Sequence, residues 1–406
     1  MFDTVPEFLL PEKTRRIRNE IREFVEEDVD PLDLNEWEWR EDPHERVPWQ
    51  VVDAAAERGL KDLTVPEEYG GEDASPLTLV VAAEEMAAGE MGIGVIFDQI
   101  WKIARIIDKM ADEDIRERFF SEFVDDPRHL LAITLTEPAH GSDYITDYEG
   151  FQFDTVAEKD GDEWVINGEK CYISNGADAK TYVVFAQTDP DAPAQSGTTA
   201  FLVPRETEGL EVTHVWEKIS QRMINNATVE YHDVRIPEEN VLGEVHRGKQ
   251  RTAEVLKESN LEAGATTLGT ARRAFEEAWD YSYERTQGGQ PIMNHQVISH
   301  DFAEMAMQLQ AARSLLWDAA RAAEAQEDYW YEYSPMGKVF AADTAFDVAT
   351  RALEKFGAQG IMLENERPMQ KYLRDCLSFL HSDGAQEAHK ESLISTMRER
   401  YEAEER

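Results

Sequence analysis

The sequence predicts a mainly α-helical protein with one β domain in the middle. Three observations carry this. Apolar residues recur at helical spacing through the first 130 residues, short β-branched and aromatic runs replace them from about Leu131, and helical spacing returns from about Thr252. The expected units are residues 1–130, 131–243 and 244–406. A chain of 406 residues that is 42% hydrophobic can build a core of that size.

In the first unit, Ile17, Ile21, Phe24 and Val25 share one helical face. Tyr69-Gly70-Gly71 breaks the chain, and Ser75-Pro76 then reads as an N-cap and first-turn proline opening a helix from Leu77 to Ala88. Another helix is expected over Ile100 to Lys109, and a further one after Asp112. In the second unit, strands are expected at 155–157, 164–166, 182–186, 200–203 and 228–231, separated by turn residues such as Asp160-Gly161 and Asp189-Pro190. That pattern reads as a small, mostly antiparallel β domain ending near Asn240. In the third, Gly264, Ala265, Gly269 and Ala271 give a long helix a surface that neighbours can approach closely. Gln287 to Pro291 stops it. Phe302, Met305, Leu309, Ala312 and Leu316 form the apolar stripe of the next helix, and Ser334-Pro335 is expected to cap another that stops at Gly357.

The charge is lopsided: 83 Asp and Glu against 41 Lys and Arg, a net −42 spread along the whole chain, with 14 lysines to 27 arginines. Such a field repels itself in dilute buffer, whereas at about 1 M salt the screening length shrinks to about 3 Å. The expectation is adaptation to a salt-loaded cytoplasm, as in extreme halophiles. Nucleic acid and anionic membranes are poor partners for this surface. No apolar run approaches a membrane span, no leader pattern opens the chain, and Cys171 and Cys376 are too few for a disulfide framework. A soluble, cytoplasmic protein is expected. No Cys/His cluster has metal-ligand spacing, so no metal is expected.

Two loop segments carry the chemistry. The first is Leu135-Thr136-Glu137-Pro138-Ala139-His140-Gly141-Ser142-Asp143, and the second is Tyr172-Ile173-Ser174-Asn175-Gly176. In order, between helices and strands, they resemble the flavin-gripping loops of the acyl-CoA dehydrogenase family, T-E-P-x-x-G-S-D and W-I-T-N-G, with Tyr172 for Trp and Ser174 for Thr. Residues 65–71 and 233–243 resemble two further motifs of that family, so the likeness covers nearly the whole chain. It implies an N-terminal helical domain, a middle β-barrel domain and a C-terminal four-helix bundle. It also implies FAD, an acyl-CoA substrate, an electron-transfer flavoprotein as electron acceptor, and a homotetramer built as a dimer of dimers.

Oxidising an acyl thioester to its 2,3-enoyl form needs a rigid flavin, a carboxylate across the substrate from it, and hydrogen bonds to the thioester carbonyl. The resemblance assigns Leu135 and Thr136 to the flavin edge, Tyr172 to its face and Ser174 to the neighbourhood of N5. Ser142 falls where flavin and pantetheine approach each other. Arg285, Gln296 and Gly357 match residues that border FAD, the arginine reaching the pyrophosphate of a neighbouring subunit. Glu354 replaces a glutamine there.

The family's usual base is the Glu of Y-E-G-T. In this chain Asp383 stands at that position, followed by Gly384 at the substrate-binding glycine, and the carboxylate is one methylene shorter. An aspartate there suggests a branched or cyclic acyl chain. It also suits a same-fold flavoenzyme with a non-CoA substrate, such as a nitroalkane-oxidase-like oxidase or a monooxygenase. A non-catalytic FAD-binding relative is the remaining alternative. Other family members take the base from the helix that opens the bundle. Ser259 occupies that position here and cannot act as base, which leaves Glu258 and Glu262 as the competing carboxylates.

Overall fold

The helical start follows from capping and burial. Helices α1 (Glu12–Phe24), α2 (Leu34–Glu38), α3 (Trp49–Glu57), α4 (Pro76–Gly89), α5 (Met91–Met110) and α6 (Glu113–Asp125) make up the first unit of a computed structural model that describes residues 9–146, 150–327 and 329–404. Ile17, Ile21, Phe24 and Val25 are all buried, as their spacing predicts. Ser75 Oγ accepts from the Thr78 amide at the start of α4, and Asp112 does the same for Ile115 at the start of α6. Helix α5 begins nine residues before the expected Ile100. Glu90 caps it through the Ile93 amide at 2.6 Å, and Gly92 and Gly94 in its first turn lie against Met223 and Ala87.

The β domain runs β1 (Leu131–Thr134), α7 (Asp143–Thr146), β2 (Val156–Asp160), β3 (Glu163–Ser174), β4 (Thr181–Gln187), α8 (Ala194–Gly197), β5 (Thr198–Pro204), β6 (Leu210–Val215), β7 (Asn226–Pro237) and β8 (Val241–Leu242). The strands form one sheet in the order β6-β7-β3-β2-β4-β5-β8, with β1 on β4. Pairing is mostly antiparallel; β1 with β4, and a single bridge of β2 with β4, are parallel. Every residue of β4 is buried, which explains its unbroken apolar run.

Helix α9 (Gly248–Glu284) opens the last unit. It ends at a two-residue hairpin, β9 (Thr286–Gln287) with β10 (Gln290–Pro291), whose Gly288 and Gly289 have φ of 65° and 82°. Two positive φ values in a two-residue turn are what glycine tolerates best. Then follow α10 (Gln296–Glu324), α11 (Trp330–Glu354), α12 (Met369–Ser378) and α13 (Gln386–Glu404). A Cβ on Gly269 would stand 2.1 Å from the Glu84 carbonyl, so this glycine sets how closely α9 meets α4.

One expectation is overturned. Ser334-Pro335 does not cap α11, which begins at Trp330 and holds Pro335 inside it. Burial of Trp330 against Ala322 and Ala323 and its stack on Tyr331 at 4.3 Å extend the helix, while Ser334 Oγ donates to the Lys257 carbonyl instead. Tertiary packing outweighs the local signal here.

Six of the fourteen lysines are buried: Lys61, Lys102, Lys170, Lys249, Lys338 and Lys371. Three occupy ion pairs with fully buried carboxylates, Lys170 on Glu137 at 2.9 Å, Lys371 on Glu90 at 2.5 Å and Lys102 on Asp98 at 3.7 Å.

Candidate active site

The β domain, α5, α7, α9 and the start of α13 enclose a cavity of about 380 Å³. Leu135, Thr136, Tyr172, Ser174 and Asp383 all line it, although the last lies more than two hundred residues beyond the others. Tyr172 has a φ of 60° and is 56% exposed, so its ring stands off the sheet and presents a face. Ser174 is oriented by Asn226, whose Nδ2 donates to the Ser174 hydroxyl at 3.2 Å and to the Tyr172 carbonyl at 2.9 Å. Asn175 is buried and donates to the Ile96 and Leu131 carbonyls, tying the second loop to α5 and β1.

Glu137 has a structural part. It accepts from the Asp154 and Thr155 amides and pairs with Lys170, which anchors the first loop to β3. Burial alone would raise its pKa, but Lys170 and the Thr155 contacts hold it below the ordinary carboxylate range. Glu137, His140 and Asp154 bring possible ligand atoms within 4.8 Å of one another, yet the Glu137 oxygens already hold Lys170 and two amides.

The turn bearing Asp383 is held atom by atom. Asp383 has a φ of 50° and Gly384 a φ of 88°. The Asp383 carbonyl accepts from His389 Nε2 at 2.8 Å, the Gly384 carbonyl from Lys338 Nζ at 2.8 Å, and the Ala385 amide donates to Ser142 Oγ at 3.1 Å. Three consecutive residues are thus fixed from α13, α11 and the first loop. Lys102 of α5 approaches the Asp383 carboxylate to 3.7 Å. Burial pushes His389 down to about 4 and Lys338 down to about 8. Lys102 moves the other way: burial opposes its charge, but Asp383 and Asp98 outweigh it and raise its pKa.

The competing carboxylates do not line the cavity. Glu258 pairs with Arg105 at 3.1 Å and Lys109 at 3.3 Å, and Glu262 is buried 3.7 Å from Arg105. Of the three carboxylates that do line it, Glu391 and Glu399 are exposed along α13 and Asp383 is partly enclosed.

Arg285, Gln296 and Gly357 lie outside the cavity, exposed at one end of the bundle. Tyr281 links two of them, since its carbonyl accepts from the Arg285 amide and its ring stacks 4.0 Å from Phe356, next to Gly357. Sequence reasoning missed Lys102, Lys338, His389 and Asn226. None belongs to a turn motif; each is a polar residue on a helix or strand far along the chain.

The geometry is a small cavity with an aromatic face, a positioned hydroxyl and one enclosed carboxylate. The comparisons agree with it. Models of the acyl-CoA dehydrogenase N-terminal, middle and C-terminal domains match residues 11–126, 132–234 and 246–397. The short/branched chain specific acyl-CoA dehydrogenase of Rattus norvegicus mitochondria is 30% identical over 87% of this chain and 78% of its own. Butyryl-CoA dehydrogenase from Megasphaera elsdenii superposes with a TM-score of 0.87 at 27% identity, covering 96% of this chain and 98% of its own. A chain solved in work on the electron transferring flavoprotein of Acidaminococcus fermentans has a TM-score of 0.87 at 29% identity, with the same coverage. This chain belongs to the acyl-CoA dehydrogenase family, oxidoreductases that carry FAD. The donor set fits the ring end of that cofactor: a protruding aromatic face at Tyr172, the Ser174 hydroxyl, and the Leu135–Thr136 backbone around one cavity.

Proposed function

We propose that this enzyme oxidises a short branched or cyclic acyl-CoA to its 2,3-enoyl thioester, with Asp383 as the base. The observation that carries the reading is that Asp383 is the enclosed carboxylate among those lining the cavity walled by Leu135, Thr136, Tyr172 and Ser174. When bound, FAD supplies the hydride acceptor for the β-carbon. Asp383 takes the α-proton: the C–H bond breaks, an O–H bond forms on the carboxylate, and the thioester carbonyl gathers the charge. His389, Lys338 and Ser142 hold the turn so that the shorter side chain reaches.

Two things support a short acyl group: the cavity of about 380 Å³, part of which the flavin ring end would occupy, and the name of the rat relative. Electrons would pass to an electron-transfer flavoprotein, a reading supported by the structural likeness to the Acidaminococcus chain. Arg285, Gln296 and Gly357 would serve the FAD of a neighbouring subunit in a homotetramer, since all three are exposed and outside this chain's own cavity. The unit boundaries near 131 and 243 belong to the same reading.

The test is anaerobic titration in about 2 M KCl with butyryl-, isobutyryl-, 2-methylbutyryl- and cyclohexanecarbonyl-CoA, read at the flavin absorbance. Bleaching by a branched or cyclic member is expected. Asp383→Asn should keep FAD and lose about 10²–10⁴-fold in turnover. A flavin that no member reduces, with rapid oxygen consumption on a nitroalkane, would replace this reading with the oxidase.

A further inference from the structure

Helix α5 is almost wholly buried, yet one stripe of it is charged. Asp98, Lys102, Arg105 and Lys109 follow at intervals of four, three and four residues, which puts them on one face. That face meets Glu258 and Glu262 of α9 and the Asp383 turn. Lys102 Nζ lies 3.7 Å from Asp98 Oδ2 and 3.7 Å from Asp383 Oδ2. Arg105 lies 3.1 Å from Glu258 and 3.7 Å from Glu262, and Lys109 closes the row near solvent at 3.3 Å from Glu258.

Asp98 and Glu262 are both buried in this cluster, and the Asp98 charge disfavours ionising Glu262. A buried carboxylate oxygen that accepts from no donor favours the protonated acid. Asp98 Oδ1 and Glu262 Oε2 are buried, and neither has a hydrogen-bond partner among the described residues. Burial, followed by Arg105 in opposition and Asp98 in support, pushes Glu262 up to about 8, whereas Asp98 reaches about 6. Of the two, Glu262 is the one whose surroundings favour the proton. With it in place, the cations Lys102, Arg105 and Lys109 match the carboxylates Asp98, Glu258 and Asp383 one for one. Ionising Glu262 adds a fourth carboxylate with no fourth cation, and draws Lys102 and Arg105 toward α9.

The other groups facing Asp383 cannot take over. His389 is neutral and holds a carbonyl, Lys338 holds the next carbonyl, and burial raises the Tyr144 phenol well above its ordinary range.

We propose that Lys102 is a positioning residue for the Asp383 carboxylate, and that a proton on Glu262 keeps it in that role. This rests on Asp383 being the base. Lys102 stays an ammonium throughout and exchanges no proton with the substrate. Its work is to keep the short carboxylate over the α-carbon.

The first test needs no substrate. Infrared difference spectra between the wild-type holoenzyme and Glu262→Gln isolate the Glu262 carboxyl band. The band of a protonated acid is expected at pH 7, fading as pH rises through about 8, with its midpoint about one unit higher in Lys102→Met, which removes a cation. An ionised Glu262 at pH 7, or a midpoint that Lys102→Met leaves in place, overturns the proposal. The second test is flavin reduction by isobutyryl-CoA. Lys102→Met should lower kcat about tenfold to a hundredfold with KM within about twofold, and Lys102→Arg should recover most of it. Wild-type kcat should fall above about pH 8, and Glu262→Gln should flatten that limb. Wild-type kcat in Lys102→Met overturns the proposal. If that variant does not fold, Asp98→Asn combined with Lys102→Met removes both charges together and is read in the same way. Normal turnover by Asp383→Asn would instead overturn the base assignment, while the infrared midpoints still report on Lys102 and Glu262.

Discussion

Ser142 Oγ accepts the Ala385 amide hydrogen at 3.1 Å, joining the first loop directly to the turn that carries Asp383. The two segments are 243 residues apart in the chain. The loop proposed to hold the cofactor and the proposed base are therefore positioned by one shared contact.

That contact can be weighed. Ser142→Ala removes the acceptor and leaves the Ala385 amide unpaired. Flavin reduction by a cognate acyl-CoA should slow about tenfold, the worth of one hydrogen bond, while FAD content stays unchanged. Stopped-flow reduction at matched flavin occupancy measures it; an unchanged rate would mean the turn holds its place without the loop.

Gly384 has no room for a side chain. Its φ is 88°, and a Cβ would come 2.1 Å from Ile145 Cδ1 and 2.7 Å from His389 Nε2. Gly384→Ala should cost about 1–3 kcal/mol of stability, seen as a lower denaturant midpoint, and should reduce turnover beyond what stability explains by displacing the His389 contact.

The His389 imidazole should make the fold acid-sensitive. Its folded pKa, about 4, lies below its ordinary value of 6.5 because burial and Lys338 disfavour the cation. A depressed folded value means the unfolded chain binds the proton first. The contribution is complete above pH 6.5 and is lost as pH falls toward about 4. His389→Gln keeps an N–H donor and cannot titrate there. Denaturation midpoints from pH 7 to pH 4 should fall more steeply in wild type than in this variant; parallel curves would contradict the assignment.

Salt should be a structural requirement. With a net charge of −42, removing KCl restores repulsion that concentrated salt screens. Near-UV circular dichroism and activity are expected to be lost together on dialysis into dilute buffer, and to return with about 2 M KCl. A chain that keeps both without added salt is an ordinary acidic protein.

What the sequence disclosed follows from the physics of each feature. The loops at 135–143 and 172–176 were legible because unusual backbone and short-range hydrogen bonds demand particular residues at fixed spacing; Tyr172 and Asn175 both adopt positive φ there. The place of Asp383 in the cavity wall was legible through its position before Gly384. Lys102, Lys338 and His389 were not, since a single charge on an apolar helix looks like an irregularity until the fold brings a partner from far along the chain. Glu137 was legible as part of a motif, but its pairing with Lys170 was not. Ser334-Pro335 misled because a cap signal is local, whereas Trp330 is buried by residues from another helix.

The buried lysines set a floor beneath which the lysine content of this chain cannot fall. Fourteen less these six leaves eight, and even among those the Lys355 side chain is only 6% exposed. Substituting exposed lysines such as Lys180 and Lys390 would make the exterior still more anionic without touching the interior. Substituting Lys102, Lys170 or Lys371 would instead strand a carboxylate, because each of the three pairs with Asp98, Glu137 or Glu90. Amine-reactive labelling of the native protein would accordingly stop short of all fourteen lysines, and the six buried ones would become reactive only on unfolding, a chemical measure of how much of the molecule is still folded.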